Sequence, residues 1–390
     1  MAWRLCCRST CCHDAAPVCG LVQAKRLASG RGRALRIYWR RQRRINLALE
    51  GGGAHGAFTW GVLDRLIEEP GLAIGWISGT SAGAVNAVAL AAGLAEGDGA
   101  GARAKLRAVW EAVARAGVPD LMRLNPWLAG LSRSQTLAQV ASLFSPYDFN
   151  PLGFDPLRKV LEANIDFSLL RTLPGPELLI AATDVTTGRP RLFRRRELIV
   201  ECVLASACLP TLHHAVAVDG RAYWDGGFSA NPDLVSLARE SPVADTLIVK
   251  LNPLLVESLP TSAREITARI NHITFNQPML RDVEVIEGIR RSARRWSRRG
   301  DAGDRRLARH RFHLIEAGRV TSALSPESKV KPDLELLLHL CAAGRSEAEK
   351  WLARHAHAIG RTSSVDLAAH FLADRPAAGA SLRPTPEVAA

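Results

Sequence analysis

The chain has 390 residues, of which 47% are hydrophobic, so it is long enough to bury a large core. Its longest apolar run, residues 82–94, is interrupted by Gly83, Asn86 and Gly93 and is too short to cross a bilayer. The formal net charge of +13 is concentrated in residues 1–45, which hold ten arginines, one lysine and one acidic residue. Such a charge run is typical of a solvated, disordered segment, so no nucleic-acid partner is expected.

The same N-terminal segment holds five of the eight cysteines. Adjacent Cys-Cys pairs without a second spaced pair fit neither a disulfide framework nor a structural zinc site well. Zinc binding, palmitoylation and a start assigned too far upstream are kept as alternatives for this segment, but no cofactor is expected. Because no compact apolar stretch opens the chain, we expect a cytoplasmic location, with peripheral contact at the inner membrane surface as an option.

The predicted elements begin at Ile45, where alternating apolar residues lead as a strand into a glycine turn at residues 51–56. A helix is expected over residues 58–67, and Pro70-Gly71 separates it from a second strand around residues 74–77. A short crossover that contains a single helix implies that the two strands are parallel. The functional loops are then expected at the carboxyl ends of the strands.

Later strands are predicted at residues 178–183 and 246–251, and helices at residues 102–116, 198–207 and 261–289. This alternation predicts a three-layer α/β/α domain with a mostly parallel central sheet.

The expected organisation has four parts. They are a basic, cysteine-rich, disordered arm (1–44), a catalytic domain (45–260), a helical C-terminal extension packed on it (261–372) and a disordered tail (373–390). Within the extension, residues 290–311 form a second basic stretch, which is either a membrane-surface contact or a solvated helical hairpin. The apolar residues of 121–150 either form a lid over an acyl chain or pack on the sheet.

A nucleophile motif directly follows the second predicted strand. Gly79-Thr80-Ser81-Ala82-Gly83 precedes a helical run, which is the strand-turn-helix context of a nucleophile elbow. Glycines two positions away on either side leave room for so tight a turn. Ser81 would lie at a helix amino terminus, where unpaired N–H groups favour negative charge. The motif therefore predicts that Ser81 is a nucleophile.

The first glycine turn predicts the oxyanion donors, because residues without Cβ let a substrate approach backbone N–H groups. Its candidates are Gly51, Gly52, Gly53 and Gly56. The same residues read G-x-G-x-x-G, which is also a dinucleotide-binding pattern. That fold needs an acid at the end of the second strand, whereas no Asp or Glu occurs between Glu69 and Glu96.

A nucleophilic serine needs a base, and Asp225 is followed by two glycines, Gly226 and Gly227. Alone, Asp-Gly-Gly is most often a surface turn. With the two earlier motifs present, a carboxylate at this turn can accept the hydroxyl proton and return it to the leaving alcohol. Asp225 is thus the candidate base.

The ordered set of residues 51–56, 79–83 and 225–227 resembles the patatin-like phospholipase family, and residues 205–210 resemble a further family segment. The resemblance implies a serine acyl hydrolase that acts on lipid esters through a Ser81–Asp225 dyad and a covalent acyl-enzyme. No metal is implied. His55 stands where Arg or Lys is frequent in the family, so a fixed positive charge there is in doubt, and a solvent-pointing side chain is one reading of His55.

Three alternatives stay open at this point. A Ser-His-acid triad would draw its histidine from His272, His310 or His313, none of which has distinctive flanks. A non-catalytic lipid-binding protein on the same fold, or an acyltransferase, would also fit the sequence. The head group, acyl-chain length and oligomeric state are not determined by the sequence.

Overall fold

Eight β-strands form one mixed sheet in the computed structural model, which describes residues 43–116, 145–150, 153–255, 259–295, 301–322, 324, 326–329 and 332–373. The N-terminal arm up to residue 42, with its cysteine cluster, lies outside the described residues. So do residues 117–144, which hold most of the apolar loop considered as a lid, and the tail from residue 374.

The strand bounds are β1 (Arg43–Leu49), β2 (Leu72–Thr80), β3 (Leu178–Asp184), β4 (Pro190–Arg194), β5 (Val216–Val218), β6 (Arg221–Asp225), β7 (Asp245–Lys250) and β8 (Arg311–Glu316). Their order is β5-β6-β3-β2-β1-β7-β8, and β4 also pairs with β3. In this spatial order, the neighbouring strands β3, β2, β1, β7 and β8 are parallel. By contrast, β4 and β6 pair antiparallel with β3, and β5 pairs antiparallel with β6. All residues of β3 and β7 are buried, because helices cover both faces of the parallel region.

The helix bounds are α1 (Gly56–Ile67), α2 (Ala82–Glu96), α3 (Gly99–Ala116), α4 (Pro146–Phe149), α5 (Pro156–Asn164), α6 (Phe167–Thr172), α7 (Val200–Ser206), α8 (Val235–Glu240), α9 (Ala263–Arg295), α10 (Ala302–Arg309), α11 (Gly318–Ser322) and α12 (Leu334–His355). Short 3₁₀ turns include Gly53–His55, Gly226–Phe228 and Pro326–Lys329. A π-helical turn spans Ala368–Leu372.

The two faces of the sheet carry separate apolar cores. In β1, Ile45, Leu47 and Leu49 belong to one core, and Ala48 belongs to the other, as the alternation of strand side chains requires. Helices α1, α2, α3 and α12 pack on the first face, and α8, α9 and α10 pack on the second. The predicted three-layer α/β/α arrangement is therefore confirmed.

Helices α1 and α12 approach each other closely through two glycines. A Cβ on Gly61 of α1 would lie 1.9 Å from the carbonyl oxygen of Cys341. A Cβ on Gly344 of α12 would lie 2.0 Å from the carbonyl oxygen of Phe58. Backbone of each helix thus occupies the space that a side chain would need on the other.

The expected strands and helices are all present, with bounds that differ by a few residues. The sequence did not predict the antiparallel strands β4, β5 and β6, or the edge strand β8. Residues 261–372, expected as a helical extension, therefore also complete the sheet through β8. Within the described ranges, no helix is long and apolar enough to cross a membrane.

Candidate active site

Ser81 occupies a strained turn between β2 and α2. Its backbone has φ 54° and ψ −123°, and φ in this range is unfavourable for a residue with a Cβ. The side chain is half-buried, and two backbone N–H groups further on in the first turn of α2 bond to the Ser81 carbonyl oxygen. A strained backbone at a partly accessible serine is what the predicted nucleophile elbow requires.

The glycines flanking Ser81 are required by close backbone contacts. A Cβ on Gly79 would lie 2.6 Å from the carbonyl oxygen of Gly83, and a Cβ on Gly83 would lie 2.1 Å from that of Leu49. Neither neighbour is a flexible side chain that could move away. The steric role predicted for both glycines is thus present in the structure.

The glycine turn after β1 lies directly against Ser81. A Cβ on Gly51 would lie 2.9 Å from Ser81 Cβ, so only glycine allows this approach. The two loops are adjacent because β1 and β2 are parallel neighbours whose carboxyl ends pair as Leu49 with Gly79. The two loops that were expected to face each other are therefore adjacent in the structure.

The four glycines expected as oxyanion donors differ in the state of their N–H groups. Gly51 N–H donates to Asn231 Oδ1 at 2.8 Å, and Gly56 N–H bonds within the preceding 3₁₀ turn. Gly52 N–H and Gly53 N–H have no hydrogen-bond acceptor among the described residues. Gly53 has φ +57°, a backbone conformation that favours glycine, and the residue is exposed.

Gly56 has a packing role instead. It begins α1, and a Cβ there would lie 2.6 Å from Ala82 Cβ and 3.0 Å from the Trp110 ring. Since Ala82 follows Ser81, this contact brings the start of α1 close to the elbow.

Asp225 ends β6 and is fully buried. Its Oδ1 accepts the Gly227 N–H at 2.7 Å. Its Oδ2 is buried and makes no hydrogen bond of normal geometry with a described residue, although the Ser81 hydroxyl is close enough to lower the carboxyl pKa. Burial outweighs both effects and raises the pKa of Asp225 from 3.8 to about 7.

Both glycines after Asp225 meet close neighbours. A Cβ on Gly226 would lie 2.2 Å from the carbonyl oxygen of Ala181 in β3. A Cβ on Gly227 would lie 2.2 Å from the Phe275 ring in α9. The Asp-Gly-Gly sequence is therefore a packed internal turn and not a surface turn.

One short segment holds the backbones of both Ser81 and Asp225. Ser206 Oγ, at the end of α7, accepts the Ser81 N–H at 2.9 Å. Two residues later, the carbonyl oxygen of Cys208 accepts the Asp225 N–H at 2.7 Å. Both residues fall in the segment 205–210 singled out in the sequence, where no motif indicated these bonds.

Asn231 was not predicted as a site residue, yet it joins three parts of the site. Its Oδ1 accepts the Gly51 N–H, and its Nδ2 donates to the carbonyl oxygen of Phe275 at 2.9 Å. The side chain is fully buried. An Asn shortly after the Asp-Gly-Gly sequence was the only sequence signal for this role.

The histidines considered for a triad make other contacts. His310 Nε2 bonds to Thr246 Oγ1 at 2.7 Å, and His313 lies 3.2 Å from Asp245. These partners are at the amino end of β7, whereas the site is at the carboxyl ends of the strands. Among the described residues, no histidine forms a hydrogen bond with the Ser81 hydroxyl.

His55 lies within the glycine turn, and His272 lies on α9. His55 is 2% exposed and its Nε2 is 2.7 Å from Ser328 Oγ, so the reading that it points to solvent was wrong. His272 Nε2 is 3.2 Å from Lys329 Nζ. Burial, together with the nearby Lys329 charge, lowers the pKa of each imidazole to about 4. Both are neutral at pH 7, and the nearby cation is Lys329.

The described residues contain no group of three or more His, Cys, Asp or Glu side chains arranged to hold a metal ion. The chemistry that the site can perform is acyl transfer, since it brings together a strained serine, a carboxylate with a raised pKa and unbonded backbone N–H groups.

A scan against protein-family models matches residues 47–238 to a model described as patatin-like phospholipase. A search of the curated proteins finds no match.

Among solved structures, the chain is similar to VipD from Legionella pneumophila, with 17% identity, a TM-score of 0.39, and coverage of 80% of this chain and 67% of that one. It is also similar to the ExoU–SpcU complex of the Pseudomonas aeruginosa type III secretion system, with 16% identity, a TM-score of 0.31, and coverage of 81% and 52%. The chain thus spans about half the length of the latter.

Proposed function

We propose, from the premise that residues 47–238 are a domain of the patatin-like phospholipase family, that the chain is a serine acyl hydrolase that cleaves lipid ester bonds. The family supports lipid hydrolase activity in general. The roles of individual residues are our proposal, and they rest on the geometry around Ser81.

In the proposed reaction, Ser81 Oγ attacks the ester carbonyl carbon while its proton passes to Asp225. The tetrahedral intermediate collapses, the C–O bond to the alcohol breaks, and the alcohol takes the proton from Asp225. Water then attacks the acyl-enzyme, with Asp225 again as the base, and releases the carboxylic acid and free Ser81.

The observation that carries this proposal is the state of the Asp225 carboxylate. Oδ1 accepts a hydrogen bond from Gly227, and Oδ2 is buried without a hydrogen bond of normal geometry. The Ser81 hydroxyl is close enough to the carboxyl group to lower its pKa. A buried acceptor without a partner is costly, which favours a functional reason for it. A pKa of about 7 also suits a group that must both take and return a proton near neutral pH.

We assign the stabilisation of the negative charge on the tetrahedral intermediate to the N–H groups of Gly52 and Gly53. Both are unbonded in the described part of the chain, while those of Gly51 and Gly56 are engaged. The amino terminus of α2 adds a favourable dipole at Ser81.

The proposed partner is a lipid surface, reached through α9. Ile266, Ile270 and Ile273 are exposed and share one face of this helix by their spacing, and Phe275 on the same helix contacts the Asp225 turn. Within the basic stretch 290–311, Arg290 and Arg311 are bonded to groups of the protein itself and are therefore less available to a lipid surface.

The test compares wild type with Ser81→Ala and Asp225→Asn on p-nitrophenyl butyrate and on phospholipid vesicles. We expect a loss of kcat/KM of about 1,000-fold or more for Ser81→Ala and about 100-fold or more for Asp225→Asn. His272→Ala, His310→Ala and His313→Ala serve as controls for a triad and should retain activity if they fold. Labelling of Ser81 by a fluorophosphonate reports nucleophilicity independently of the ester used.

A wild-type protein that is inert on all esters and is not labelled would overturn the hydrolase and leave lipid binding as the function. Formation of a new ester when an alcohol is added, at the expense of fatty acid, would identify an acyltransferase. For the membrane contact, Ile270→Glu should lower vesicle hydrolysis and leave p-nitrophenyl butyrate hydrolysis unchanged. Leu338→Glu, on the opposite layer, is the matched control and should change neither.

A further inference from the structure

The orientation of the Gly52 N–H is fixed by a contact to the preceding residue of the glycine turn 51–56. The Gly51 carbonyl oxygen accepts a hydrogen bond from Asn252 Nδ2 at 3.0 Å. This carbonyl and the Gly52 N–H belong to the same peptide group, which is planar and trans, so they point in opposite directions. Holding the oxygen on the Asn252 side therefore holds the N–H on the other side.

Besides its bond to Gly51, Asn252 makes two further hydrogen bonds. Its backbone N–H donates to Glu50 Oε2 at 2.8 Å, and its Oδ1 accepts from Lys329 Nζ at 2.6 Å. An ammonium group only donates, so the amide atom facing Lys329 must be the oxygen, and the nitrogen must then face Gly51. Lys329 thus selects the amide orientation in which Asn252 can hold the Gly51 carbonyl.

The backbone of Lys329 contacts the same loop. A Cβ on Gly53 would lie 2.3 Å from the carbonyl oxygen of Lys329. The 3₁₀ turn Pro326–Lys329 therefore packs directly on Gly53, which is the second residue with an unbonded N–H group. This turn lies about ninety residues beyond the end of the family match at residue 238.

The charges around Lys329 leave a net cation behind the loop. Glu50 is paired with Lys250 at 3.3 Å and also accepts two backbone N–H groups. His55 and His272 are neutral at pH 7, for the reasons given above. Burial lowers the pKa of Lys329 to about 8, so the ammonium form still predominates at pH 7.

We propose that Lys329 and Asn252 are positioning residues of the oxyanion loop, which orient the Gly52 N–H through the Gly51 carbonyl group. This inference rests on the proposed function. It extends the site to a segment that the family match does not include, and it predicts an effect on the transition state more than on substrate binding.

The test uses Asn252→Asp and Lys329→Met, with Lys329→Arg as the conservative rescue. Asn252→Asp keeps an acceptor for Lys329 but replaces the donor to Gly51 with an oxygen that repels its carbonyl. Removal of a whole oxyanion donor costs about 100-fold to 1,000-fold in kcat, so misorientation should cost about tenfold to 100-fold. We expect this loss in kcat on p-nitrophenyl butyrate, with KM nearly unchanged, and most of the rate restored in Lys329→Arg.

Inhibitor binding separates positioning from a merely structural role. An alkyl trifluoromethyl ketone forms a tetrahedral adduct with serine, whereas the matching methyl ketone imitates the ground state. The variants should weaken the first and not the second. Asn164→Asp and Lys350→Met, both remote from the site, are the matched controls, and thermal melting establishes that each variant is folded.

The outcomes distinguish this inference from the function on which it rests. If wild type hydrolyses the ester and both folded variants keep its kcat and inhibitor affinity, the positioning role is wrong and the hydrolase stands. Equal losses of affinity for both ketones would also overturn the positioning role, because the variants would then weaken binding in general. An inert wild type would instead overturn the proposed function.

Discussion

At the scale of single residues, Asp225 determines how the proposed reaction depends on pH. The carboxylate form is the base, and burial raises the pKa of this group to about 7. We therefore expect kcat/KM on p-nitrophenyl butyrate to rise with pH and to level off above a midpoint near pH 7. The measurement is a steady-state profile from pH 5 to pH 9. A flat profile over this range would contradict the role of Asp225 as the base.

The same carboxylate should cost the protein stability. The folded-state pKa of about 7 is above the ordinary value of 3.8, so the folded state binds this proton more tightly than the unfolded state does. Its contribution to stability is therefore present at low pH and is lost as pH rises through about 7, with an upper limit of roughly 4 kcal/mol.

Asp225→Asn removes the buried charge and should raise the melting temperature relative to wild type, more at pH 8 than at pH 4.5. Thermal melts at both pH values measure this difference. Ser81→Ala is a suitable control because it also removes activity but keeps the carboxylate. It should keep the pH dependence of the wild-type protein. A variant Asp225→Asn that melts below wild type at pH 8 would contradict the prediction.

The sequence predicted the residues whose role follows from local sterics and missed those that act over long distances. Gly79, Ser81 and Gly83 form a turn that can be recognised from five consecutive residues. Asn252 and Lys329 act on Gly51 from about 200 and 280 positions away, and a single polar residue in a loop carries no signal for such a contact. The pairing of β1 with β7 brings Asn252 next to Gly51, and Lys329 reaches Asn252 from the turn Pro326–Lys329.

At the scale of elements, the contact between α1 and α12 depends on glycine at Gly344. An alanine there would place Cβ about 2.0 Å from the Phe58 carbonyl oxygen and would force the helices apart. We expect Gly344→Ala to lower the free energy of unfolding by about 1–3 kcal/mol, as overpacking does. Chemical denaturation measures this value.

Gly288 provides the matched control for that change. It lies within α9, and a Cβ there would meet no atom within 4 Å. Gly288→Ala should therefore raise stability by about 0.5–1 kcal/mol through helix propensity alone. If both alanine variants were stabilised, the close approach of α1 and α12 would not constrain the fold.

The elements that the sequence predicted are those with long apolar patterns. β1, β2, β3 and β7 lie in the parallel region, and their buried runs are recognisable. β4, β5 and β6 are three to five residues long and pair antiparallel, and β4 contains two arginines. β8 begins at Arg311, the last residue of the basic stretch 290–311. That stretch was interpreted as a membrane-surface contact or a solvated helical hairpin, so the short apolar pattern of β8 was overlooked.

At the scale of the whole molecule, residues beyond the family match should be necessary for folding. The C-terminal helix α12 buries large apolar side chains in the first core, namely Leu337, Leu340, Trp351 and Leu352. At about 1.5–3 kcal/mol for each fully buried side chain, their loss is comparable to the whole stability of a domain.

A chain that ends at residue 310 lacks both α12 and the edge strand β8, and we expect it to show no cooperative thermal transition by circular dichroism. A chain that ends at residue 373 keeps both elements and is the control, for which we expect the full-length melting temperature. A shorter chain with a full-length melting temperature would mean that the sheet up to β7 is stable alone.

The bonds from Ser206 and Cys208 have a consequence for tolerance to change. The proposed nucleophile and base, Ser81 and Asp225, lie 144 positions apart in sequence, yet their backbones are anchored two residues apart on one segment. A rigid shift of that segment, driven by substitutions in the surrounding loops, would carry Ser81 and Asp225 in the same direction and preserve their separation. The loops around the site can therefore diversify while the spacing on which the proposed proton transfer depends stays constant.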